Sequence, residues 1–104
     1  MIKTLPNNLR NAEIVLWYDK LQSICPETHE IDTYTLHIKY TPKDLLLEII
    51  SFRKYLEEWK HFEAYSETIF QKIEDKIIKT IDPTDLEIRL IDNSEGIQFQ
   101  VVSL

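Results

Sequence analysis

The sequence predicts an α+β domain of order ββααββ, with two helices on one face of an antiparallel sheet. Three observations carry this. Residues 33–40 alternate without a break: Tyr34, Leu36, Ile38 and Tyr40 face one way, Thr33, Thr35, His37 and Lys39 the other. That is the period of a half-buried strand. Phe62, Tyr65, Ile69, Ile73, Ile77 and Ile81 recur at spacings of three and four, the stripe of an amphipathic helix, which Phe70 and Ile78 widen. The chain of 104 residues holds one Gly, which favours long regular elements.

The elements follow in order. Residues 1–11 contain Pro6 and Asn7-Asn8 and read as an irregular arm of a single domain spanning 1–104. Glu13 to Tyr18 is β-branched and aromatic, a strand that Leu21 and Ile24 prolong in broken form to Cys25. It pairs with the strand at 33–40 through the intervening loop. Thr41-Pro42-Lys43-Asp44 has the chemistry of a helix start, with Pro at the first helical position. Leu45, Ile49, Phe52 and Leu56 form the stripe of that first helix, beside which Glu48, Ser51 and Tyr55 share a line. A second helix is expected from about His61 to Ile81, with a break near Glu58 to His61. Asp82-Pro83 stops it. Leu86, Ile88 and Leu90, then Ile97, Phe99 and Val101, form a closing hairpin around a turn at Asp92 to Gly96.

Composition excludes several function classes. A single Cys forbids an internal disulfide and fits a reducing, cytoplasmic setting. No apolar run is long enough to span a membrane. A net charge of −6 counts against a sequence-independent nucleic-acid binder, and Arg53, Lys54 and Lys60 are the notable basic group. One Gly is too few for a phosphate-cradling loop or a dinucleotide fold. Cys25, His29, His37 and His61 lack paired ligand spacing, so no metal site is expected. The outer strands would leave open sheet edges, which assembly of several copies would remove, so a homo-oligomer is expected.

The chemistry concentrates on Cys25-Pro26-Glu27-Thr28-His29-Glu30-Ile31-Asp32. A thiolate is a good nucleophile, and a nearby carboxyl group can protonate the atom that gains electrons. A carbon–nitrogen triple bond suits both, giving a covalent thioimide. The bland alternative is an inert thiol beside a turn-capping acid.

Ser23-Ile24-Cys25-Pro26, the acid at Asp32 and Tyr40-Thr41-Pro42 resemble the QueF family of nitrile reductases of queuosine biosynthesis. Glu48, Ser51, Arg53 and Tyr55 fall on that family's Glu-Ser-Lys-Ser-x-Lys-x-Tyr signature, Glu67 on the Glu of its Phe-His-Glu motif, and Asp82-Pro83 on its Asp-Pro. The resemblance implies the tunnelling fold (T-fold), a barrel of stacked rings, two pentamers making a decamer, with active sites between subunits. It implies Cys25 as the nucleophile toward 7-cyano-7-deazaguanine, Asp32 as proton donor and Glu67 as acceptor for the purine donors. It also puts Ser66, Leu47, Glu48 and Ile49 at the substrate.

The departures redirect the chemistry. The signature's second and third residues are Ile49 and Ile50, the His before the substrate Glu is Ser66, and the family's Pro-Arg-Gly-Gly turn reads Ser94-Glu95-Gly96-Ile97. Two cations that a reductase would turn toward the NADPH phosphates are therefore Ile50 and Glu95, and the chain is shorter than the bacterial reductases. These features resemble the QueF-like archaeosine synthases. The implied reaction turns 7-cyano-7-deazaguanine (preQ0) in tRNA into the formamidine archaeosine, with ammonia as partner and no cofactor. A divergent NADPH-dependent reductase and a non-catalytic purine-binding T-fold protein are the alternatives.

Overall fold

The computed structural model describes residues 1–92 and 96–104. Among them the strands are β1 (Thr4–Pro6), β2 (Ile14–Ile24), β3 (Ile31–Thr41), β4 (Leu45–Leu47), β5 (Asp85–Asp92) and β6 (Phe99–Val102). The helices are α1 (Ile49–Glu57) and α2 (Ser66–Ile81), joined by a 3-10 turn at Glu58–His61. The main sheet is antiparallel in the order β2-β3-β5-β6, and β1 pairs with β4 in a separate ribbon.

Both expected hairpins form, and β2 and β6 are the edges of the main sheet. Tyr34, Leu36, Ile38 and Tyr40 turn inward with Ile88 and Leu90 of β5. They share one core with Phe52 and Leu56 of α1 and Ile69, Ile73 and Ile77 of α2. Each such side chain contributes about 1.5–3 kcal/mol by leaving water. Asp82 ends α2 in a left-handed conformation (φ 44°), its N–H donating to Ile78 O, ahead of Pro83.

The break in β2 is a register shift between Tyr18 and Leu21. Before it, the even-numbered Leu16 and Tyr18 pack on the core; after it, Leu21 and Ser23 are buried. One extra residue changes the parity, so both halves keep the apolar side inward. The exposed Asp19 and Lys20 fill the bulge. Ser23 is thereby aimed inward, opposite Asp32 of β3.

Four expectations are corrected. The arm at 1–11 is not irregular throughout: Thr4–Pro6 pairs with Leu45–Leu47, and Glu48 N donates to Lys3 O at 3.0 Å. Thr41-Pro42-Lys43-Asp44 does not start a helix, because Thr41 completes β3 and Leu45–Leu47 is committed to β1. Tertiary pairing overrides the local capping signal. α2 begins at Ser66, not His61, since the backbone at 62–64 is engaged by Ile24: Ile24 N donates to Phe62 O and Ala64 N to Ile24 O. Ile97 lies before β6 and is exposed, so that strand starts at Phe99. The turn at 92–96 falls largely on residues 93–95, including Glu95, which lie outside the described residues.

Candidate active site

β2 ends at Ile24 and β3 begins at Ile31, and the six residues between them form a tight closure. Cys25 N donates to Glu30 O at 2.8 Å, and His29 N donates to Cys25 O at 2.8 Å. His29 adopts φ 60°, a left-handed conformation that His tolerates better than most residues. The Cys25 thiol is free and half-buried.

Asp32 is buried and shares the inner face of β3 with Tyr34. The Ser23 hydroxyl, fully buried, donates to the Tyr34 phenol at 3.3 Å. Burial pushes the Tyr34 phenol up to about 12, with further upward contributions from the charges of Asp32, Asp92 and Cys25. In the β2–β3 ladder Asp32 lies opposite Ser23, two residues before Cys25. Sequence periodicity marks Tyr34 only as core; its bond with Ser23 follows from the register of the two strands.

The start of α2 adjoins the same loop through the Ile24 hydrogen bonds at 62–64. Ser66 Oγ donates to Glu67 Oε1 at 2.9 Å, and Glu67 is exposed in the first turn, where the helix dipole favours an acid. Tyr65 stands just before α2, and its hydroxyl donates to Glu27 Oε1 at 2.5 Å. That bond, with the charges of Glu27, Cys25 and Glu67, raises the Tyr65 phenol. Cys25 and Glu67 thus both lie in the neighbourhood of one exposed tyrosine. The sequence placed Tyr65 in the helix stripe, and nothing in a linear pattern links it to Glu27.

Leu47, Glu48 and Ile49 are elsewhere. Leu47 N donates to the Tyr40 hydroxyl at 3.2 Å. Tyr40 is eight residues along β3 from Asp32, about 26 Å at the rise of a strand. The molecule is 45 Å in its longest dimension, which accommodates that separation. Glu48 caps α1, its carboxylate accepting from Ile50 N at 2.6 Å and Ser51 N at 2.9 Å. Those bonds hold its pKa below the usual value. Arg53, one turn further along α1, pairs with Glu57 at 3.2 Å. Ile49 is exposed at the same helix end. One chain therefore brings Ser66 and Glu67 beside the Cys25 loop but leaves Leu47, Glu48 and Ile49 around the start of α1, away from that loop.

Two cavities are lined by residues other than Cys25. One of about 630 Å³ lies between α2 and the 3-10 turn, lined by Trp59, Phe62 and Lys76 among others. The other, about 130 Å³, lies between β2 and α1 beside Trp17, Ile49 and Phe52. Among the described residues no helix is long and apolar enough to cross a membrane.

A four-stranded antiparallel sheet with two helices on one face is the architecture of a T-fold protein. The profile of the family described as "QueF-like protein" matches residues 32–96, more than half the chain, and the chain belongs to that family. The matched stretch holds Asp32, Leu47, Glu48, Ile49, Ser66 and Glu67 and begins just after the Cys25 loop. Among curated proteins, the NADPH-dependent 7-cyano-7-deazaguanine reductase of Thermomicrobium roseum is 26% identical over 91 residues, covering 88% of this chain and 71% of that protein. The reductases of Chloroherpeton thalassium (27%; 85% and 78% covered) and Bacillus pumilus (26%; 85% and 54% covered) are similar. Among solved structures, an archaeosine synthase described as QueF-Like, in the apo form, superposes with a TM-score of 0.84 at 19% identity. That superposition covers 91% of this chain and 94% of that one and shows the shared fold.

Proposed function

We propose that this protein is an archaeosine synthase, forming the amidine from 7-cyano-7-deazaguanine in tRNA with ammonia. The observation that carries the reading is the placement of a half-exposed Cys25 thiol just past the end of β2, whose Ser23 lies opposite the buried Asp32 of β3. The Cys25 thiolate adds to the nitrile carbon, the displaced π pair goes to nitrogen, and Asp32 supplies the proton. The thioimide so formed is attacked at carbon by ammonia. Loss of the thiolate then breaks the C–S bond and leaves the amidine, with no change of oxidation state. Glu67 accepts from the purine donors, and a carboxylate suits that adjacent pair in bidentate fashion.

The two missing cations favour ammonia over hydride. Exposed Ile50, in the first turn of α1, stands where the resemblance puts one reductase cation, and Glu95 stands where it puts the other. An acid facing phosphate is repulsive. The positions of Leu47, Glu48 and Ile49 further support a site completed by a second copy, whose α1 end closes over the Cys25 loop.

Intact-protein mass spectrometry after incubation with 7-cyano-7-deazaguanine tests the first step. A covalent adduct is expected on the native chain and none on Cys25→Ala. Ammonia-dependent amidine on tRNA bearing the nitrile base, without added nucleotide, completes the test. The names of the curated relatives favour a second reading, NADPH-dependent reduction. NADPH oxidation dependent on the nitrile base would establish it and overturn the first.

A further inference from the structure

The loop that carries Cys25 is tied to the approach to α2 at two points besides the backbone bonds of Ile24. Tyr65 Oη donates to Glu27 Oε1 at 2.5 Å. His29 Nδ1 lies 2.8 Å from Glu63 Oε1. The two contacts join positions 38 and 34 residues apart. His29 makes its contact from left-handed backbone, a conformation that costs free energy outside glycine and persists where surrounding contacts hold it. The pairs alternate along both segments: Glu27 and His29 flank the loop tip, and Glu63 and Tyr65 flank Ala64.

Each contact alone is weak. The His29 and Glu63 side chains are 72% and 54% exposed, and a single exposed pair adds little stability. Their common placement is what matters. The Ile24 bridge is the pivot, and two side-chain ties beyond it stop the loop from swinging about that pivot. On one side of the ties is the thiol; on the other are Ser66 and Glu67.

We infer that the Glu27–Tyr65 and His29–Glu63 contacts form a clasp that fixes the span from the Cys25 thiol to the Glu67 carboxylate. The inference rests on the reading of Glu67 as the anchor of the nitrile base. With the base held at Glu67, the clasp sets the approach of sulfur to the nitrile carbon. Misplacement by about 1 Å costs on the order of a hundredfold in rate. The four residues are positioning residues: they touch the loop and the helix start, not the reacting atoms.

The double variant Tyr65→Phe/Glu63→Met removes both contacts at nearly constant volume. In single-turnover mass spectrometry, adduct formation with the free nitrile base is expected to slow about tenfold or more, while the base's Kd changes less than about twofold. A merely structural role would instead lower Tm and slow the reaction in proportion to unfolding. Reversed polarity, His29→Asp with Glu63→Lys, is expected to recover most of the rate lost by Glu63→Met alone, since Asp also tolerates φ near 60°. An unchanged adduct rate in the double variant overturns the clasp, as does a reversed pair no faster than Glu63→Met. If the native chain forms no adduct, the nitrile reading fails, and amide hydrogen exchange at residues 25–30 decides the clasp by itself. Faster exchange in the double variant supports it, and equal exchange overturns it.

Discussion

Ser23 and Asp32 face each other across the β2–β3 ladder, and both are buried. Two polar residues opposed on the inner face of a hairpin would ordinarily weaken it. The Ser23 hydroxyl finds an acceptor in Tyr34, and Asp32 stands at the end of the apolar run beside the Cys25 loop. Asp32→Asn keeps the shape of that side chain and removes its transferable proton. Adduct formation with the nitrile base is expected to fall by roughly 10²–10⁴, the usual worth of a positioned acid. Ser23→Ala is expected to leave a much larger fraction. Single-turnover rates of the two variants against the native chain check both statements.

Tyr34 supplies a stability prediction with a definite sign. Burial disfavours its phenolate, so its pKa in the folded chain is about 12 against 10.0 for the free group. The folded state therefore holds this proton more tightly than the unfolded state. The contribution is complete below pH 10.0 and is lost as the pH rises toward about 12. Thermal melts between those pH values are expected to show a falling Tm that Tyr34→Phe flattens. At neutral pH the same variant strips the Ser23 hydroxyl of its acceptor, at a cost of about 1–3 kcal/mol.

The hairpin of β2 and β3 and the inner face of β3 were legible because period two is a local signal that burial reinforces. The core stripe of α2 from Ile69 to Ile81 was legible for the same reason at period 3.6. The ribbon of β1 and β4 was not, since three residues with Pro6 at one end show no alternation and pair only across the fold. Local chemistry at Thr41-Pro42 pointed to a helix, and the pairing of Leu45–Leu47 with β1 outweighed it. At the site, the motif around Cys25 and Asp32 was readable, whereas the bonds from Glu27 to Tyr65 and from His29 to Glu63 depend on long-range closure.

Glu48 illustrates the same gap and makes an acid-side prediction. Its carboxylate accepts from two orphan amides at the start of α1, which lowers its pKa from 4.5. The stability it contributes is present above pH 4.5 and is lost as the pH falls through the lowered folded value. Glu48→Gln is expected to lower Tm at pH 7 and to narrow the gap to the native chain as the solution is acidified. Melting curves at neutral and acidic pH measure that convergence.

The separation of Glu48 from Cys25 makes a shared site testable without any structure of the assembly. If each site takes Cys25 from one chain and Glu48 from its neighbour, Cys25→Ala and Glu48→Ala each leave every site of a homo-oligomer defective. In a co-folded mixture of equal parts, half of the chains keep Cys25 and half keep Glu48. A site is intact when a Cys25-bearing chain meets a Glu48-bearing neighbour, so about a quarter of sites are restored. Adduct formation in the mixture is expected to rise to about a quarter of all sites, which is about half of the Glu48→Ala chains, the ones that keep the thiol, as counted by mass spectrometry. Were both residues to serve a site within one chain, no mixture could hold an intact site, and the adduct would stay at the level of the separate variants.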